Sequence, residues 1–139
     1  MIRDFTKEEK KVLIAVAKFI ANQDNKLSDA ELQQFTKLSE QPGFGDFHTI
    51  FKAVDHEIKT LSDLSHAINA VKRREIQEEI VALAIAMAEA DGVDSPATHD
   101  TVRYLCRVWN IPVENVGSPR DMILVSQVRI FIRGAIGND

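Results

Sequence analysis

Leu83-Ala84-Ile85-Ala86-Met87-Ala88-Glu89-Ala90-Asp91-Gly92 is an alanine-rich run that stops at an acidic turn. With Ile76 and Ile80 upstream, its apolar residues Leu83, Ala84, Met87 and Ala88 recur at helical spacing, which predicts a helix over 74–90 with one inward face. The alanines let a neighbouring helix approach closely, and Asp91-Gly92 ends the run. A shift of 67 residues carries this segment onto an earlier one. Ala15, Ala17, Ala21, Asp24, Ser28 and Ala30 fall on Ala82, Ala84, Ala88, Asp91, Ser95 and Ala97. The apolar positions Leu13, Val16, Ile20, Phe35 and Leu38 fall on Ile80, Leu83, Met87, Val102 and Leu105. The expectation is two helix-loop-helix halves, 7–40 and 74–109, in pseudo-twofold relation.

Working outward, Thr6 with Glu9 reads as a capped start for a first helix over about 7–23, and Ser28 with Glu31 as a capping box opening a second. Gln41-Pro42-Gly43 stops that second helix. Phe44, Phe47, Ile50, Phe51, Val54 and Ile58 predict a third helix over 44–59, and Leu61, Leu64, Ile68 and Val71 a shorter fourth, with Thr60 or Ser62 as cap. Ser95-Pro96 predicts the start of a sixth, since proline is tolerated at the first helical position. Its core face is Val102, Leu105, Cys106 and Trp109. The segment 120–135 fits either a strand, by Val128, Ile130 and Ile132, or a helix, by Met122, Val125, Ile132 and Ile136. No second strand exists for it to pair with, so a terminal helix is expected.

The chain has 139 residues, 45% of them apolar and 27% charged, values of an ordinary globular domain. Its six glycines and four prolines leave little turn chemistry for an all-β fold. The predicted class is all-α: one domain over 1–139, a helical bundle. The net charge of −4 offers no positive field for nucleic acid. The single cysteine, Cys106, forms no intramolecular disulfide and no zinc-ligand pair, and a cytoplasmic location is expected. The charged start MIRDFTKEEKK does not read as a secretory signal, and no apolar stretch is long enough for a membrane span.

The run from Leu83 to Gly92 followed by Ser95 and Pro96, with Ala21, Asp24, Ser28 and Glu31 in the first half, resembles the TerB-like tellurite-resistance family, whose hallmark is an alanine-rich helix ending in an Ala-Asp-Gly loop. The resemblance covers about 7–110 plus a terminal helix. It implies a bundle of about seven helices with two acidic loops near each other. It also implies association with stress resistance and, through a related domain in a membrane-anchored J-domain co-chaperone, a membrane-linked complex. Two positions depart from the family pattern: Thr98 stands where an acid follows the second loop, and Asp94 where the first loop has Leu27.

Asp24, Glu31, Asp91 and Asp94 are the candidate metal ligands, because hard cations such as Ca²⁺, Mg²⁺ or Mn²⁺ take clustered carboxylate oxygens. Helix capping accounts for the same residue types without any ion. Neither loop is an EF-hand: counting from Asp24, Lys26, Asp29 and Phe35 occupy the third, sixth and twelfth places. The expected function is a non-enzymatic interaction module with weak divalent-cation binding. The alternative is a metal-dependent hydrolase using the same carboxylates to activate water. Expected partners are an unidentified protein, a membrane-linked stress complex or a second copy as a homodimer, and not nucleic acid.

Arg103 with Arg107, and Arg129 with Arg133, each stand one turn apart and are the candidate partner-binding residues, forming a positive patch opposite the acidic loops. Salt-bridged helix exteriors are the plainer reading of the same pairs and of Lys72-Arg73-Arg74. The histidines 48, 56, 66 and 99 form no His-Glu-x-x-His pattern. Cys106 reads as a small core residue.

Overall fold

Each of the first two helices opens on a reciprocal cap, in which a hydroxyl and a carboxylate satisfy backbone amides that the helix leaves free. Thr6 caps α1 (Lys7–Ile20) with Glu9, and Ser28 caps α2 (Asp29–Glu40) with Glu31. The computed structural model describes residues 5–21, 28–41, 46–92, 94–120 and 122–137. Within them α3 (Phe47–Glu57), α4 (Leu61–Ile68), α5 (Arg74–Ala90), α6 (Asp100–Trp109) and α7 (Met122–Gly137) follow, with 3-10 turns at Pro96–Thr98 and Val113–Asn115. The described residues contain no strand, so the fold is all-α.

α1 lies at the centre. Val12, Leu13, Ile14, Ala15 and Val16 are consecutive and all fully buried, so this helix has no solvent face over its middle turns. α3, α4, α5, α6 and α7 surround it. α5 is similarly buried from Ile80 to Ala84. Most positions matched by the sequence shift share this burial, including Leu13 with Ile80, Val16 with Leu83 and Ala17 with Ala84. The correspondence weakens after the loops. Ser95 makes no side-chain cap, Pro96–Thr98 is a 3-10 turn, and α6 starts only at Asp100, with His99 Nδ1 accepting from the Thr101 amide at 3.2 Å. The sixth helix therefore begins later than Ser95-Pro96 predicts. Its end is closed by Asn110 in the left-handed conformation (φ 53°), with the Ile111 amide donating to the Cys106 carbonyl at 2.9 Å. Arg74 donates to the Trp109 and Asn110 carbonyls at 2.7 and 3.1 Å, so its charge sits on the negative end of α6.

The segment that fits two periodicities is a helix. Leu124, Val128, Phe131 and Ala135 of α7 are buried one turn apart, and α2 packs along it. Phe131 meets Phe47 edge-on at 5.0 Å between ring centres and Phe35 at 5.5 Å, and His48 closes the group at 5.0 Å from Phe131. Gly134 is required by the same contact. A Cβ there would stand 2.6 Å from Phe35 Cγ and Cδ1, inside any van der Waals contact.

One end of the bundle is fixed by charge. Glu9 is 3% exposed, and its carboxylate takes a two-pronged contact from Arg73, including Nε to Oε2 at 3.0 Å, while Oε1 accepts from the Thr6 amide at 2.8 Å. Arg73 directly precedes α5, so the pair brings the starts of α1 and α5 together. The Arg73 hydrogen bond lowers the Glu9 pKa below its ordinary 4.5, against the opposing effect of burial.

Two outcomes are expected. Gly134→Ala introduces a clash costing about 1–3 kcal/mol, more than the roughly 1 kcal/mol of helix propensity gained, so the thermal midpoint falls. Phe35→Leu in the same chain recovers part of the loss. Because the Glu9 pKa is depressed on folding, its contribution is present at neutral pH and is lost as pH falls below 4.5 through its folded value. Glu9→Gln is then less stable than the parent at pH 7 by about 1–3 kcal/mol. In denaturant titrations across acid pH, that gap narrows.

Candidate functional site

A carboxylate at a helix C-terminus faces the negative end of the helix dipole and needs a compensating cation. Asp91 occupies that position on α5, and its side chain is only 5% exposed. Gly92, at φ 83°, turns the chain away directly afterwards. Arg129 of α7 supplies the cation: Nε donates to Asp91 Oδ1 at 3.1 Å, Nη2 donates to the same oxygen, and Nη2 reaches the Ala90 carbonyl at 3.5 Å. One guanidinium thus serves the acid and the adjacent helix end.

One turn further along α7, Arg133 Nη1 stands 3.8 Å from Glu31 Oε2. Glu31 is held by its own capping box, accepting from the Ser28 amide at 3.0 Å. That backbone hydrogen bond is the main cause of its lowered pKa, with Arg133 and Arg129 adding attraction. An acid at the start of α2 and one at the end of α5 therefore meet adjacent arginines on α7. A cavity of about 10 Å³ between Ala17, Met87, Asp91, Arg129 and Arg133 closes the junction, near the lower limit for one water molecule.

Sequence reading placed Arg129 and Arg133 opposite the acidic loops. They lie against those acids, with side chains 21% and 12% exposed. Of the four candidate ligands, Glu31 and Asp91 are brought to this junction, Asp94 is exposed, and Asp24 lies outside the described residues. Among the described residues no three His, Cys, Asp or Glu side chains come together as a metal would require. The Arg103–Arg107 pair is elsewhere, along an open groove beside α6, and Cys106 lines that groove half-buried. Burial and the charge of Glu114 push the Cys106 thiol pKa up, away from a reactive thiolate.

Sequence reasoning missed the destination of several charges. Arg73 and Arg74 were part of a basic run with no assigned partners, and they hold Glu9 and the α6 end. The clue for α7 was its two arginines in an otherwise apolar helix, which is where a buried partner is needed.

An all-α domain built around a buried central helix, with acids of α2 and of the α5 end tied to α7, is the class that this geometry defines. The family model described as tellurite resistance protein TerB matches residues 10–120, and the chain belongs to that family. Comparisons with curated proteins and with solved structures returned no match. No helix among the described residues is long and apolar enough to cross a membrane.

Breaking the Asp91–Arg129 pair from one side is costly. Arg129→Met leaves a buried carboxylate without its cation and costs about 3 kcal/mol. Asp91→Asn costs less, and the double variant is more stable than the sum of the single losses predicts. Urea unfolding of the four chains gives this coupling, which changes little between low and high salt because the pair is shielded from solvent ions.

Proposed function

We propose that this TerB-family chain is a non-enzymatic interaction module whose loop end responds weakly to Ca²⁺, Mg²⁺ or Mn²⁺. The observation that supports this is the convergence of Glu31 and Asp91 on arginines one turn apart. Carboxylate oxygens are the right donors for a hard cation, but here each already has a guanidinium competitor. A cation must displace that guanidinium, which keeps the affinity low. Occupancy releases Arg129 and Arg133 from the acids and loosens the second half of α7. The bundle then presents a different charge pattern to a partner protein, and a stress-response complex is the setting that the family name suggests. Water activation by a hydrolase would call for several carboxylates on one ion, whereas the described residues bring two acids together, each against an arginine.

The test is a titration of the isotope-labelled protein with each ion, followed by amide chemical shifts. Perturbations at 28–31, at 90–94 and along the second half of α7 are expected, and Arg133→Gln tightens binding by roughly fivefold because it removes the competitor on Glu31 while leaving the Asp91 pair in place. An absence of shifts at both segments with all three ions would falsify the proposal.

A further inference from the structure

α6 buries Thr101, Val102, Leu105 and Trp109 against the core. Beside that face runs a groove of about 530 Å³, open to solvent. One wall carries Arg103, Tyr104 and Arg107, and the floor is apolar, formed by Leu61, Ile111 and Val113. Both arginines are exposed, and among the described residues neither forms an ion pair. This sets them apart from the arginines of α7, and it places local positive charge on a chain whose net charge is −4. The Arg107 guanidinium lies 5.6 Å from the centre of the Tyr104 ring, a cation–π contact that leaves its N–H donors free to bind a carboxylate. Asp100 also lines the groove, at the first turn of α6, where the helix dipole already stabilises it.

Arginines four apart on a helix present forks about 5–6 Å apart at their bases, a spacing that two carboxylates one turn apart on a partner helix reproduce. Each fork can take one carboxylate through two parallel hydrogen bonds. An open channel with an apolar floor accepts a chain segment lying along it. We propose that this groove docks an acidic amphipathic segment of a partner protein, its carboxylates on Arg103 and Arg107 and an apolar side chain between them on Leu61, Ile111 and Val113. The site is separate from the loop end, so either proposal can stand without the other.

The probe is a fluorescein-labelled helical peptide with glutamates one turn apart around a leucine, followed by anisotropy. Saturable micromolar binding is expected. It weakens roughly tenfold or more when the peptide glutamates become glutamine, or when the chain carries Arg103→Glu with Arg107→Glu. Both arginines are exposed, so the doubly substituted chain still folds, melting slightly lower because Arg107→Glu places an acid in the last turn of α6; Arg103→Gln with Arg107→Gln gives a second readout without that charge. Cys106, the only cysteine, reports occupancy directly, since bound peptide slows its alkylation at alkaline pH. Equal affinity for the glutamine peptide, no saturation, or unchanged Cys106 alkylation overturns the proposal. So does binding of phosphatidylserine vesicles or single-stranded RNA through these arginines when the peptide does not bind, because the occupant is then of another class.

Discussion

A carboxylate side chain with almost no exposure calls for a hydrogen-bonded cation beside it, and Asp91 puts that demand at the end of α5, the longest of the described helices. Only α7 meets it. Once Arg129 is on Asp91, helical geometry sets Arg133 one turn on, against Glu31, and turns Val128, Phe131 and Ile132 toward the core. Two ion pairs and one apolar stripe therefore specify the same rotation of α7 about its axis. Slippage by one residue would break both at once.

The second buried carboxylate, Glu9, stands at the other end of the bundle. Its pair with Arg73 fixes where α5 starts relative to α1, as the Asp91 pair fixes where α5 stops relative to α7. Buried ion pairs recover little net energy after desolvation, while breaking one is costly. The driving force for folding comes from the apolar core around α1, and the two pairs select the register in which that core closes. Gly134 against Phe35 acts to the same end by sterics, since α2 can approach α7 that closely only where a side chain is missing.

The sequence made the helices legible wherever local chemistry was complete. α5 runs from 74 to 90 as its periodicity implies, and the Thr6–Glu9 and Ser28–Glu31 boxes are formed. Ser95-Pro96 carries the same kind of start signal but opens a 3-10 turn, because proline sets one backbone angle and does not fix whether the following turn is α or 3-10. α7 was ambiguous because its β-branched residues satisfy either period, and packing against α2 decides the matter. The candidate site was half visible. The acids and arginines could be named, but which acid met which arginine depends on an approach between segments far apart in sequence. The α6 groove was less visible still, since its floor and walls come from residue 61, the helix itself and residues 111 and 113.

The TerB model matches residues as far as 120, and α7 begins at Met122. Six of its side chains, Leu124, Val125, Val128, Phe131, Ile132 and Ala135, are nonetheless part of the core. Without α7, α1 and α5 would each lose cover on one side, and Asp91 would lose the cation beside it. A chain cut before Met122 would hold that apolar surface open, a state in which aggregation competes with folding. The stretch beyond the family match is thus what closes the core.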